Sequence, residues 1–232
     1  MYPGPQRRVL LFFILSLPFL CALGSAYAES HITSFEAEVR LRKDATVIIT
    51  ETVQVDLAPQ PASVGIIFSI PKRTLGVNRK VRSGNVLVNY VFRDGQKEEF
   101  RIESTPEAFL VHTGGKNAVT PGLRTYTIQF ERPHVIDRGV EYDGFSIALP
   151  GKWSWAVDQT SLSFRFPEFL DPKTAVLRAT VSSYSSTAVS EKTLPLSVTE
   201  ERITIDYPTR LSAGETLWIE VKLPKGFIHF PS

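Results

Sequence analysis

The sequence predicts an all-β fold, a mainly antiparallel, immunoglobulin-like β-sandwich. Three observations predict it. Apolar residues recur with period two along most of the chain, as they do in strands that bury one face. No amphipathic helix of useful length occurs. Sixteen prolines and fourteen glycines cut the apolar segments into short runs, the punctuation of sandwiches and barrels. The half-polar alternation also favours antiparallel sheets with one solvated face.

The first 28 residues stand apart from this pattern. Arg7 and Arg8 precede an apolar run from Val9 to Gly24, and Ala26-Tyr27-Ala28 supplies a small-x-small cleavage pattern. A membrane-spanning helix takes roughly 20 apolar residues, and Pro18 interrupts this run. Residues 1–28 are therefore predicted to be a signal peptide cleaved before Glu29. The alternative is an uncleaved N-terminal anchor. Cys21 follows Leu20, which is too large for a lipobox. Residues 29–232 form the predicted extracytoplasmic domain.

Its strands read in order. Phe35, Ala37, Val39 and Leu41 alternate with polar residues up to a tight turn at Lys43-Asp44-Ala45. Val47, Ile49, Val53, Val55 and Leu57 continue on one phase. Val86, Val88, Tyr90 and Phe92 lead into Asp94-Gly95, a hairpin signal because both residues tolerate positive φ. Phe100 and Ile102 are expected on the return strand. Tyr126, Ile128 and Phe130 form one further face, and Leu162, Phe164 and Phe166 another. Ala175, Leu177, Ala179 and Val181 follow, then Ile203 and Ile205, then Leu217, Ile219, Val221 and Leu223. Pro150-Gly151-Lys152 is a candidate boundary between two β lobes; a single extended sandwich fits equally well.

Composition excludes several functions. The formal charge of +2 is too small to argue for nucleic acid. Removing Arg7 and Arg8 leaves 24 basic and 24 acidic residues, and Cys21, the one cysteine, goes with the same segment. The exported domain then has no thiol catalysis and no disulfide. The four histidines, at 31, 112, 134 and 229, lack metal-site spacing. No nucleophile elbow, P-loop, dinucleotide fingerprint or EF-hand loop occurs, so no cofactor is implied.

Three features remain as candidate sites. Glu51 lies in phase with Val47, Ile49, Val53 and Val55, so the pleat aims a carboxylate at the core. It is either a functional buried acid, or an acid paired with a cation or backbone amides, or one released by a bulge. The segment Lys72 to Arg82 holds Lys72, Arg73, Arg79, Lys80 and Arg82 and no acid. It reads as a long loop that attracts a membrane surface or an anionic polymer, or as a solvated loop without a ligand. Trp153 and Trp155 share a face if they lie in a strand, where they either stack on sugar rings or pack in the core.

These motifs, taken in order, resemble the extracytoplasmic N-terminal region of the YciQ-like predicted bacterial membrane proteins, a family of unknown function. Ile32 to Leu57 is similar to its opening strand pair, with Asp44 and Thr50-Glu51 in place. Gly65 to Pro71 resembles its "R-G-I-x-R-x-I-P" motif, Thr125 to Ile128 its "T-Y-x-I" strand, and Leu211 to Gly226 its closing segment. The resemblance spans nearly all of the domain. Both arginines of the family motif are replaced here, by Val64 and Phe68. If one of them neutralises the glutamate in the family, Glu51 needs another cation, and Lys72 and Arg73 lie closest in sequence. Family members usually continue into membrane helices, so this chain is expected to be a stand-alone form or a truncated remnant.

The reading that follows is an exported, non-catalytic cell-envelope module. Its expected partner is an envelope protein or an anionic polymer, met through the basic segment. The alternative is a glycan-directed hydrolase that uses Glu51 with a second acid, Asp137 or Asp143; such chemistry generally takes two carboxylates.

Overall fold

The computed structural model describes residues 29–59, 65–75, 81–114, 120–168, 170–183 and 194–230. Residues 1–28, the predicted signal peptide, lie outside them. The alternation between residues 31 and 57 becomes two long strands, β1 (His31–Leu41) and β2 (Val47–Leu57). The turn between them forms because Ala45 adopts φ 64° and Asp44 Oδ1 accepts the Thr46 N–H at 3.1 Å. Both strands belong to an eight-stranded sheet. Its spatial order is β15 (Ser197–Val198), β16 (Arg202–Tyr207), β13 (Thr160–Arg165), β1, β2, β10 (Gly122–Arg132), β6 (Leu87–Arg93) and β7 (Gln96–Lys97). The sheet takes strands from both sides of residue 150.

Every strand pair named here is antiparallel except β1–β13, which runs parallel. The register places buried side chains in rows across the strands. One row runs Ile203, Phe164, Val39, Ile49 and Phe130 and ends on the half-buried Val88. The next runs Ile205, Leu162, Ala37, Glu51, Ile128 and Val91. A second sheet comprises β11 (Asp137–Arg138), β12 (Asp143–Leu149), β17 (Glu215–Leu223) and β14 (Val176–Ser183). Leu217, Ile219, Val221 and Leu223 of β17 join the residues of these rows in one apolar core. The all-β sandwich is thus observed, and the described residues contain no α-helix, only a 3₁₀ turn at Pro172–Thr174.

A three-stranded sheet, β3 (Ile67–Pro71), β9 (Ala108–Thr113) and β8 (Phe100–Ser104), abuts the core. Phe68, Ile70 and Val111 supply its buried face. A side chain at Gly151 would strike the Ser69 carbonyl oxygen. The close approach of β3 to the segment after β12 therefore needs glycine.

Four local expectations are corrected. Asp94-Gly95 does turn, with φ of 51° and 76°, but the return strand is only Gln96–Lys97. The chain then leaves for the three-stranded sheet, so Phe100 and Ile102 belong to β8. In β6 the register shifts between Val88 and Tyr90. A bulge inserts one residue and so exchanges the faces: Val91 is buried, while Tyr90 and Phe92 pack together outside it. Trp153 and Trp155 lie in a loop rather than a strand. The basic segment is not a plain loop, because β4 (Arg73–Leu75) pairs with β5 (Val81–Ser83) as a two-stranded arm.

Candidate functional site

The arm grows from a junction that Lys72 organises. The Lys72 N–H donates to Glu107 O at 2.9 Å, and its carbonyl accepts the Gly84 N–H at 3.1 Å. The Lys72 ammonium turns back onto the three-stranded sheet. It donates to Ser104 Oγ at 2.6 Å and sits 4.8 Å from the Phe109 ring centroid. Arg73 is exposed. Arg82 stands opposite Thr74 in the arm, and Arg79 and Lys80 lie outside the described residues.

At the foot of the arm is a cleft of about 330 Å³, lined by Thr74, Gly84, Asn85, Arg132, Pro133, His134 and Val135. Arg132 is buried there, and its guanidinium reaches the Lys72 carbonyl at 3.5 Å. The sequence reading missed Arg132 and set His134 aside. The signal for Arg132 was present: it continues the phase of Tyr126, Ile128 and Phe130, as Glu51 continues the phase of β2. What the arrangement offers chemically is a basic arm beside a small cleft whose wall contains a guanidinium and an imidazole. It suits an anionic group.

Glu51 occupies the middle of an apolar row, between Ala37 and Ile128, and is 5% exposed. Its carboxylate has no hydrogen-bond or ion-pair partner among the described residues. Burial alone pushes its pKa from 4.5 to about 8. The expected cation is therefore not supplied: Lys72 spends its ammonium on Ser104, and Phe68, which stands at a family arginine position, is a buried core residue. Protonation takes the place of a counter-ion.

The two acids named as partners for Glu51 sit on the second sheet. Asp143 is buried and accepts from Lys225 Nζ at 2.7 Å; the same ammonium donates to Gly139 O at 2.6 Å. Asp137 is buried opposite Gly144 in β11–β12. Neither belongs to the row that contains Glu51. Glu51 lines neither the cleft at the foot of the arm nor the clefts beside Trp155 and beside His112.

Trp153 is buried, edge-on to Phe68 at 5.5 Å and stacked with Trp155 at 6.5 Å. Trp155 covers Trp153 and itself borders a cleft of about 360 Å³ with His31, Asp158 and Arg210. Asp158 there meets both His31 (3.5 Å) and Arg210 (3.3 Å). No cluster of three or more His, Cys, Asp or Glu capable of holding a metal occurs among the described residues. No helix among them is long and apolar enough to cross a membrane.

These features define an all-β sandwich domain with a buried acid in its main sheet and a two-stranded arm, basic in sequence, packed beside β12. The chain belongs to the family described as predicted membrane protein DUF2207, N-terminal domain, whose model matches residues 31–221. No curated protein sequence matches it. Among solved structures, native leukotriene A4 hydrolase from Saccharomyces cerevisiae superposes with a TM-score of 0.52 at 13% identity, over 85% of this chain and 30% of that one. The yeast enzyme in complex with bestatin gives a TM-score of 0.52 at 14% identity, over 84% and 29%. An M1 zinc metallopeptidase from Deinococcus radiodurans gives 0.45 at 11% identity, over 82% and 42%. The chain spans less than a third of the yeast enzyme, and at such identities the likeness is one of fold alone.

Proposed function

We propose that the domain is an exported, non-catalytic cell-envelope module that binds an anionic partner, a protein or a polymer, through the β4–β5 arm. The observation that carries this reading is the arm itself. It stands outside the three larger sheets, and its segment from Lys72 to Arg82 contains five basic residues and no acid. Membership in a family of predicted membrane proteins supports a place at the envelope. A chain with nearly balanced charge gathers such a partner only through local asymmetry. Two observations support a non-catalytic role: Glu51 is enclosed in the core, and Asp143 is held by Lys225.

The test is capture of envelope proteins and polymers by the immobilised full chain. Arg79→Ala, Lys80→Ala and Arg82→Ala together are expected to reduce capture about tenfold or more, and raised salt is expected to do the same, because salt screens attraction between charges across solvent. Capture that ignores both changes would remove the arm from the interface. Capture of neither a protein nor a polymer would overturn the proposal.

A further inference from the structure

Among the described residues the three-stranded sheet ends in a strand with one unpaired edge. Among the described residues β8 pairs with β9 and with no other strand. Which of its peptide groups face outward follows from two hydrogen bonds. The Thr113 N–H donates to Ile66 O at 3.0 Å, away from β8. Its partner Phe100 is therefore in a non-hydrogen-bonded pair with β9, and in an antiparallel ladder such pairs alternate. The Thr105 N–H, which donates to Ala108 O at 2.9 Å, puts the odd positions on the β9 side. Phe100, Ile102 and Ser104 thus turn their N–H and C=O groups to the open edge.

The side chains of this edge are complementary to themselves. The strand reads Phe100-Arg101-Ile102-Glu103-Ser104. Two copies laid antiparallel about Ile102 place each Arg101 opposite the other copy's Glu103, and Ile102 opposite Ile102. The Ile102 and Phe100–Ser104 pairs fall where the peptide groups are free, giving about six inter-chain backbone hydrogen bonds. The Arg101–Glu103 pairs fall at the non-hydrogen-bonded positions, where opposing side chains are closest. Both charged residues are exposed on the outer face, where Arg101 Nη1 and His112 Nε2 of the same chain lie 3.5 and 3.0 Å from Glu103 Oε2, so the pairs across the twofold exchange or extend this cluster; Ile102 is 47% exposed on the other face. Edges protected against pairing carry a proline, a bulge or a repelling charge; a twofold about Ile102 meets none of these.

We infer that the β8 edge is the seat of a symmetric dimer, with a second copy of this chain as its occupant. The dimer continues each three-stranded sheet across the twofold into a six-stranded one. Five residues a side fall below the standard interface size of roughly 1,200 Å², so the association is weak and depends on concentration.

Sedimentation equilibrium of the full chain, from micromolar to millimolar concentration, tests this. The native chain is expected to dimerise. Arg101→Glu places acid opposite acid and Glu103→Arg places base opposite base, so each variant alone is expected to dimerise about tenfold less well or worse. Mixed in equal amounts, the two variants are again complementary and are expected to form a heterodimer, which misfolded chains would not. Ile102→Pro removes only an outward N–H, leaves the β8–β9 bonds in place, and is expected to abolish the dimer. A native chain monomeric at millimolar concentration overturns the inference. So do single variants that dimerise like the native chain, a dimer that survives Ile102→Pro, or a β8 edge protected from amide exchange only by a different protein.

Discussion

Two buried carboxylates in this domain meet opposite fates. Glu51 lies inside the eight-stranded sheet, surrounded by Ala37, Ile128, Ile49 and Val53, with no partner among the described residues. Asp143 lies at the start of β12, equally buried, and holds Lys225 at 2.7 Å. The difference is access. Lys225 is 39% exposed and lays its ammonium over the rim of the second sheet, whereas a long basic side chain has no route to the middle of a six-residue row. A buried acid near an edge can recruit a cation; one at the centre must take up a proton. Burial of the central acid, which raises its pKa to about 8, therefore makes the fold sensitive to pH near neutrality.

The largest expected effect follows from that. Glu51 binds its proton up to about pH 8 in the folded chain and up to about pH 4.5 when unfolded. Between those values the native state holds the extra proton, so stability falls as pH rises from about 4.5 to 8 and levels off above. An ionised Glu51 costs the fold on the order of 5 kcal/mol. Glu51→Leu is expected to stabilise the domain at pH 8, and by about 3–4 kcal/mol more at pH 8 than at pH 5. Urea unfolding at the two pH values checks this. Equal gains at both would mean that Glu51 has found a cation after all.

The second effect has the opposite sign. Lys225→Met leaves Asp143 buried beside an apolar neighbour and is expected to cost about 3 kcal/mol at pH 7. A variant as stable as the native chain, measured by the same unfolding, would show that the ion pair is no more than a surface contact.

How far the sequence reveals these two sites differs for a physical reason. Glu51 is legible because a strand with one buried face imposes period two, and any charge in the apolar phase stands out. The same alternation yields β1, β2, β10, β13 and β17 nearly residue by residue. Asp143 begins a strand buried on both faces, Asp143 to Leu149, so alternation disappears, and the sequence could name the acid as a candidate but not mark it as buried. Its partner Lys225 is 82 residues away, a distance no local pattern spans. The β6 bulge and the departure of the chain to β8 were missed for a related reason: both depend on which neighbour a strand meets, not on its own residues. Trp153 and Trp155 share a spacing of two but stack in a loop, where that spacing has no fixed meaning.

The smallest effect separates the two members of the Asp143–Lys225 pair. Asp143→Asn removes the buried charge and keeps an amide oxygen that can accept from Lys225. The ammonium left over is partly exposed and keeps its bond to Gly139 O, so water makes up much of what is lost. The expected cost is about 1 kcal/mol, a third of that for Lys225→Met. Combining the two substitutions is expected to cost less than Lys225→Met alone, because no buried charge is then stranded, and a double-mutant cycle measures that coupling directly. If Asp143→Asn instead costs as much as Lys225→Met, the penalty lies in the lost contact and not in the unpaired buried charge. The contrast with Glu51 would then rest on packing at the rim, and no longer on access to a counter-ion.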